Sequence, residues 1–345
     1  MTAVFYHGNR RITVGNCTPI DPGPNEVQIK VAYSGICGTD LHIFHGLMDQ
    51  RVHLPQIMGH EMSGIVQAVG ADVQHLHIGD PVTVMPLVPC GQCPACRAGH
   101  QHICHHLKFL GIDTPGAFQS FWTVPAQTVY RLPPSLSLQH GALVEPLAVA
   151  CHDVRLGEVK PGDYVVVIGG GPIGMLIALV AREYGARVVV ADINPYRVSF
   201  AQMLGFQAVN PQEQDLIAFV QQETDTAGAD VVFEVSGSSA GAKMMTQLLR
   251  TRGLAVVVAI FGQSPPIDLF RIFWRELRLK GVRVYEPEDF RQAISLAAST
   301  KLPLEKLITA VRPLNQLQAG LEEMEQGGGN MKILLEVQDV GAGPV

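Results

Sequence analysis

From Val165 onward, short apolar runs alternate with stretches of helical spacing. VVVI, VVVA, VVFEV, LAVVV and RLKGVRV read as strands, and apolar residues recur at helical intervals over 172–184, 195–204, the DLIAFVQQE segment and 240–249. Parallel neighbours require helical crossovers, so this alternation predicts a doubly wound parallel sheet. Before Leu147 the texture changes. EVQIKVAYSG, MSGIVQAVG, DPVTVM and FQSFWTV are bounded by Gly, Pro and Asp, the signature of a mainly antiparallel, barrel-like domain. The helical pattern at 314–326 and the strand MKILLEV do not continue the alternation and are expected to rejoin the first domain; GGG at 327–329 reads as a loop.

Composition narrows the class. With 47% apolar residues, 16% charged, 35 Gly and 23 Pro, the chain is neither disordered nor a coiled coil. Its net charge of -6 and the absence of a basic tract argue against nucleic acid as a partner. Residues 164–181 carry no charge and match a membrane helix in length, but GGGPIG splits them into a short strand and a short helix, so no membrane span is expected. The N-terminal segment has no apolar core followed by a cleavage site, and the expected location is cytoplasmic.

Two local motifs carry chemistry. Cys90-x2-Cys93-x2-Cys96-x7-Cys104 places four thiolates within fifteen residues, a full ligand set for a closed, structural zinc; disulfides or free thiols are the alternative, disfavoured in the cytosol. His100, His102, His105 and His106 read as polar loop residues. Gly169-Gly170-Gly171-Pro172-Ile173-Gly174 follows the strand YVVVI and opens a helix, the context in which a glycine turn binds a pyrophosphate. Asp192, ending the next strand, suits ribose hydroxyls and repels a 2'-phosphate, which predicts NAD over NADP. Arg197 is read as stacking beside the adenine or as solvated helix surface. Cys37 in GICGTDLH, His60-Glu61 in MGHEMSG and Glu145-Pro146 in ALVEPLAVA are dispersed and individually weak.

Together, in this order and near this spacing, these motifs resemble the zinc-dependent medium-chain dehydrogenase/reductase family over nearly the whole chain. The resemblance implies an α/β protein: a GroES-like, mainly-β catalytic domain from residues 1–147 and 286–345, and a Rossmann NAD-binding domain at 148–285. It implies that Cys37 and His60 bind a catalytic zinc, with Glu61 and Glu145 as the carboxylates around it and the direct ligand between them left open. That makes two zinc ions per chain. A carboxylate at 145, where the alcohol dehydrogenase branch usually has Cys, is similar to the polyol, vicinal-diol and threonine dehydrogenase branch. Thr39 and His42 resemble the family's proton relay, and Asp40 resembles an acceptor that orients a zinc-bound imidazole.

The implied reaction moves a hydride between NAD and a secondary alcohol of the polyol, diol or sugar-derived kind, giving a ketone; L-threonine 3-dehydrogenase is the runner-up, and a non-catalytic NAD-binding protein of this fold is disfavoured by the three ligand-type residues. Sorbitol dehydrogenases often carry Arg-Tyr after a KGV strand. Here Lys280-Gly281-Val282 leads into Arg283-Val284-Tyr285, and strand alternation would turn Arg283 to the opposite face. Phe44, Phe118 and Phe121 are candidates for a pocket wall or for core. The aromatic segment LFRIFWRELRLKGVRV, with Phe270, Phe273 and Trp274, predicts edge-to-edge pairing of the last strand in a homotetramer, against the alternative of aromatics buried in their own subunit.

Overall fold

The structure is a computed structural model that describes residues 1–327 and 329–340. Gly328 of the GGG segment and the last five positions of the expected catalytic domain lie outside the described residues. The chain divides into two compact units, Met1–Glu145 with Glu286–Val345, and Pro146–Tyr285.

The first unit opens with an antiparallel hairpin, β1 (Thr2–Tyr6) and β2 (Ile12–Asn16). β3 (Glu26–Gly35), β4 (Glu61–Val69), β5 (Pro81–Val84), the small ribbon β6 (Leu87–Val88) with β7 (Lys108–Phe109), β8 (Phe121–Pro125) and β9 (Val129–Arg131) follow. The ten-residue β3 is the spine, pairing antiparallel with both β4 and β8. Its alternating Val27, Ile29 and Val31 pack with Met62, Val66, Val82, Val84, Trp122 and Val124. Burial of each such side chain contributes about 1.5–3 kcal/mol, which holds a sheet whose edges are short.

The second unit is one parallel sheet: β10 (Tyr164–Ile168), β11 (Arg187–Ala191), β12 (Gln207–Val209), β13 (Ala229–Glu234), β14 (Leu249–Val257) and β15 (Arg278–Gly281), in the spatial order β12-β11-β10-β13-β14-β15. Winding runs one way from β10 and the other way from β13, so the switch point lies between them and opens a crevice at their carboxyl ends. β12 had no apolar run to announce it; its three residues lean on β11 through a parallel ladder. The uncharged stretch 164–181 divides into β10 and the helix Pro172–Glu183, and among the described residues no helix is long and apolar enough to cross a membrane.

One expectation for the end of this unit needs correction. β15 stops at Gly281, and Val284 adopts φ 49°, so strand alternation does not govern Arg283-Val284-Tyr285; Tyr285 is fully buried. The aromatics of the helix Leu269–Arg275, which precedes the edge strand in the chain, are not core: Phe270, Phe273 and Trp274 are 69%, 74% and 67% exposed.

Returning to the first unit, β16 (Ile308–Pro313) and β17 (Lys332–Glu336) pair in parallel, and β17 lies antiparallel to β3. The tail strand thus completes the sheet of the first unit, in the order β16-β17-β3-β4-β5-β9.

Candidate functional sites

At the switch point, the glycine run makes a tight turn between β10 and its helix. Gly169 has φ 105°, and a Cβ on Gly174 would lie 1.8 Å from Gly169 O, so both positions require glycine for the turn to close on the helix. Gly171 is the helix N-cap and Pro172 its first residue, with Ile173 next, leaving the early N–H groups unclaimed for an anion. Asp192 Oδ2 accepts the Gly170 N–H at 2.7 Å, and Oδ1 accepts the Asn194 N–H at 2.8 Å. Arg197 is neither stacked alone nor simply solvated: its Nη1 lies 3.4 Å from Asp192 Oδ2, beside Gly171.

The four cysteines converge as the spacing foretells. Their sulfurs all lie within 4.8 Å of one another, with Cys93–Cys104 at 3.7 Å and Cys90–Cys104 at 3.4 Å. Tetrahedral zinc with Zn–S bonds of about 2.3 Å sets its sulfurs roughly 3.8 Å apart, so the cradle fits that ion, and every cysteine is free of disulfides. Backbone N–H groups of Cys90 and His106 point at Cys104 Sγ, and that of His105 at Cys93 Sγ. N–H donation, led by Cys96, holds the Cys93 thiol down at about 6, the direction that favours the thiolate. His100, His105 and His106 are exposed as expected, whereas His102 turns inward, its Nδ1 3.6 Å from Glu286 Oε1.

The dispersed residues come together at one end of the first unit's sheet. Register does this: Gly35 at the end of β3 faces Glu61 at the start of β4 on one side and Leu334 of β17 on the other. Cys37, His60 and Glu61 offer ligand atoms within 4.8 Å of one another. A Cβ on Gly35 would sit 2.2 Å from Glu61 Oε2, so glycine there gives the carboxylate its room. Cys37 caps the helix Gly38–Phe44, and the buried Asp40 accepts the Cys37 N–H at 2.9 Å with Oδ2. Asp40 Oδ1 stands 3.9 Å from His60 Nδ1, beyond hydrogen-bond range, and both atoms lack a hydrogen-bond partner. Thr39 and His42, three apart and half-buried, share a face of that helix. Glu145, the last residue of the first unit, is buried, and its charge bears on His60.

The electrostatics call for a cation. Burial lowers the His60 pKa, yet Cys37, Asp40 and Glu145 outweigh it and raise the value to about 10. Burial likewise pushes the Asp40 pKa up. The residue that sequence reasoning missed is Lys332. Its fully buried ammonium donates to both Glu61 oxygens, at 2.9 and 2.7 Å, and to Ile36 O at 3.2 Å. A lysine opening an apolar strand reads as a solvated end, and nothing local pairs it with a glutamate 271 residues away. Phe44 and Phe118 are 1% and 0% exposed and belong to the core rather than a pocket wall; Phe118 fills the space against Gly59.

A dinucleotide-type parallel sheet, a tetrathiolate cradle and a Cys/His/carboxylate cluster are the parts expected of a zinc-binding dehydrogenase. Residues 23–134 match the model of the alcohol dehydrogenase GroES-like domain and residues 172–299 that of the zinc-binding dehydrogenases. The chain belongs to the zinc-dependent medium-chain dehydrogenase/reductase family, in its polyol dehydrogenase branch. It is 51% identical over 336 residues to 2-dehydro-3-deoxy-L-galactonate 5-dehydrogenase of Pseudoalteromonas atlantica, covering 97% of this chain and 98% of that one. Among solved structures, a Sinorhizobium meliloti 1021 protein classed with the zinc-binding dehydrogenases and bound to NADP superposes with a TM-score of 0.92, at 31% identity over 97% of this chain and 99% of that one. The 2R,3R-butanediol dehydrogenase of Bacillus subtilis gives 0.91 at 30% identity, covering 98% and 99%.

Proposed function

We propose that this enzyme oxidises a secondary alcohol on a sugar-derived acid to the ketone, with 2-dehydro-3-deoxy-L-galactonate as the first candidate and NAD as the hydride acceptor. The observation that carries the substrate is the 51% identity, spread over both chains almost end to end, with a dehydrogenase of that name. Cys37, His60 and one of the carboxylates Glu61 and Glu145 would hold a catalytic zinc, and Cys90, Cys93, Cys96 and Cys104 a structural one. Bound there, the catalytic zinc would supply Lewis-acid polarisation of the alcohol oxygen. Lys332 holds Glu61, and Asp40 faces the imidazole of His60 and fixes the turn that presents Cys37. Thr39 and His42 would carry the released proton outward along one helix face. The turn Gly169–Gly174 would hold the pyrophosphate, and Asp192 the adenosine ribose, its carboxylate repelling a 2'-phosphate; Arg197 pairs with that carboxylate and tempers the preference.

The test is a panel of the sugar acid, polyols, vicinal diols and L-threonine, each with NAD+ and NADP+. The sugar acid with NAD+ is expected to give the highest kcat/KM; a maximum with L-threonine would replace the reading with threonine 3-dehydrogenation. A homotetramer belongs to the same proposal. β15 is an edge with unpaired backbone groups, and the helix that leads into it exposes Leu269, Phe270, Phe273 and Trp274. Light scattering giving a mass near the single-chain 37.3 kDa at micromolar concentration would refute it.

A further inference from the structure

A substrate with a carboxylate needs a cation placed a fixed distance from the reacting carbon. The first unit provides one that the reaction itself does not use. The segment 109–113 lies against the metal-ligand histidine: a Cβ on Gly111 would be 2.3 Å from Gly59 O and 3.3 Å from His60 Cβ, and the Phe109 ring meets the His60 ring edge-on at 5.2 Å and 88°. Two residues on, Asp113 Oδ2 accepts the Phe109 N–H at 2.7 Å. The same carboxylate takes Arg51 side-on, Nε at 2.6 Å and an Nη2 hydrogen at 2.7 Å. That pairing fixes the guanidinium plane and leaves the Nη1 edge without a partner among the described residues. Arg51 itself rides on a turn pinned by buried Val52 and by the Tyr6 hydroxyl, which donates to Asp49.

Reach and donor chemistry both permit this contact with a substrate carboxylate. Through the contact of Gly111 with His60, chain spacing keeps the guanidinium within about 18 Å of that histidine. A six-carbon acid held by its C5 oxygen extends about 7 Å to its C1 carboxylate, and the contacts at its two ends add about 5 Å. Arg51, with the exposed His53 adding to it, holds the Asp113 pKa down against the upward push of burial, so the bracing carboxylate stays ionised. A guanidinium already held in plane binds a second carboxylate in a fork without ordering a free side chain.

We propose that Arg51, braced by Asp113, receives the carboxylate of an acidic sugar substrate and makes the enzyme selective for sugar acids over neutral polyols. This rests on the sugar-acid reading above, and the experiment separates the two. Zinc-loaded wild type, Arg51→Met and Arg51→Lys are assayed with 2-dehydro-3-deoxy-L-galactonate and with neutral sorbitol. Sorbitol oxidation is also inhibited with L-galactonate, which needs no turnover of an acid. Arg51→Met is expected to lower the acid-to-sorbitol ratio of kcat/KM at least 50-fold, mainly through KM for the acid, and to raise the L-galactonate Ki at least tenfold. Arg51→Lys, which keeps the ion pair with Asp113 and so guards against a folding defect, should fall between. A ratio and a Ki both within threefold of wild type would overturn the role of Arg51. Failure of wild type to oxidise the acid overturns the sugar-acid reading alone; the Arg51 role is then decided by L-galactonate, and absent or Arg51-independent inhibition overturns it.

Discussion

Replacing Lys332 by Met should destabilise the first unit sharply. Met matches the aliphatic stem in volume but leaves the Glu61 carboxylate, 1% exposed, without the ammonium that now contacts both of its oxygens. Removing one partner of a buried ion pair costs about 3–5 kcal/mol, because the other charge stays desolvated. The first unit comprises residues 1–145 and 286–345, about 205 in all. At about 2–4 °C per kcal/mol for that size, its unfolding should fall by roughly 6–20 °C. Calorimetry at matched zinc content, resolving the transitions of the two units, measures this. Glu61→Gln added to Lys332→Met should recover more than half of the loss, since it removes the stranded charge, and a double-mutant cycle reports the coupling. A melting temperature within 2 °C of wild type for Lys332→Met would refute the reasoning: either water enters to solvate Glu61 or the pair contributes nothing.

Other outcomes follow from the same structure. Metal analysis is expected to find two zinc ions per chain; Cys93→Ser should lower both the zinc count and the melting temperature, whereas Cys37→Ala should lose turnover and remain folded, and a count near one in wild type refutes the pair of sites. Asp192→Ala should narrow the preference for NAD+ over NADP+, and a wild type with equal or better kcat/KM for NADP+ would mean that Arg197 dominates that position. Glu158, paired with Arg278 and Lys280 at 2.7 and 3.0 Å, should titrate near 2 by carboxyl NMR at low salt instead of near 4.5. A depressed carboxylate stabilises the fold above its unfolded pKa and loses that contribution as pH falls through its folded value, so this pairing weakens only on the acid side of pH 4.5; added salt should shrink the shift, because the pair is half-exposed.

What the sequence discloses follows from the range of each interaction. β3 is legible to the residue, because EVQIKVAYSG alternates and is bracketed by turn residues, and the glycine turn is legible because its strand and helix adjoin it in the chain. The four cysteines are legible for the same reason, all their ligands being within fifteen residues. β12 is hidden, since three residues cannot display a period, and the end of β15 is hidden because the left-handed Val284 is a tertiary outcome. Lys332 is hidden most completely: its burial depends on which strand the tail joins, and a strand's first lysine looks the same whether it faces water or a carboxylate. The placement of Phe118 in the core, likewise, is decided by the space left at Gly59.

The tail strand has a consequence for how the molecule is made. The parallel-sheet unit is one uninterrupted stretch and is complete when Tyr285 has been added, but the first unit still lacks β16 and β17 at that moment. Another 51 residues must be joined before Glu336 ends β17, roughly 3–10 s at about 5–20 residues per second. During that interval Glu61 is tethered to the ribosome with no Lys332 to meet it, and β3 presents an open edge. The half of the chain synthesised first is therefore the half that matures last, and Cys37, His60 and Glu61 gain their finished surroundings only once β17 has been made.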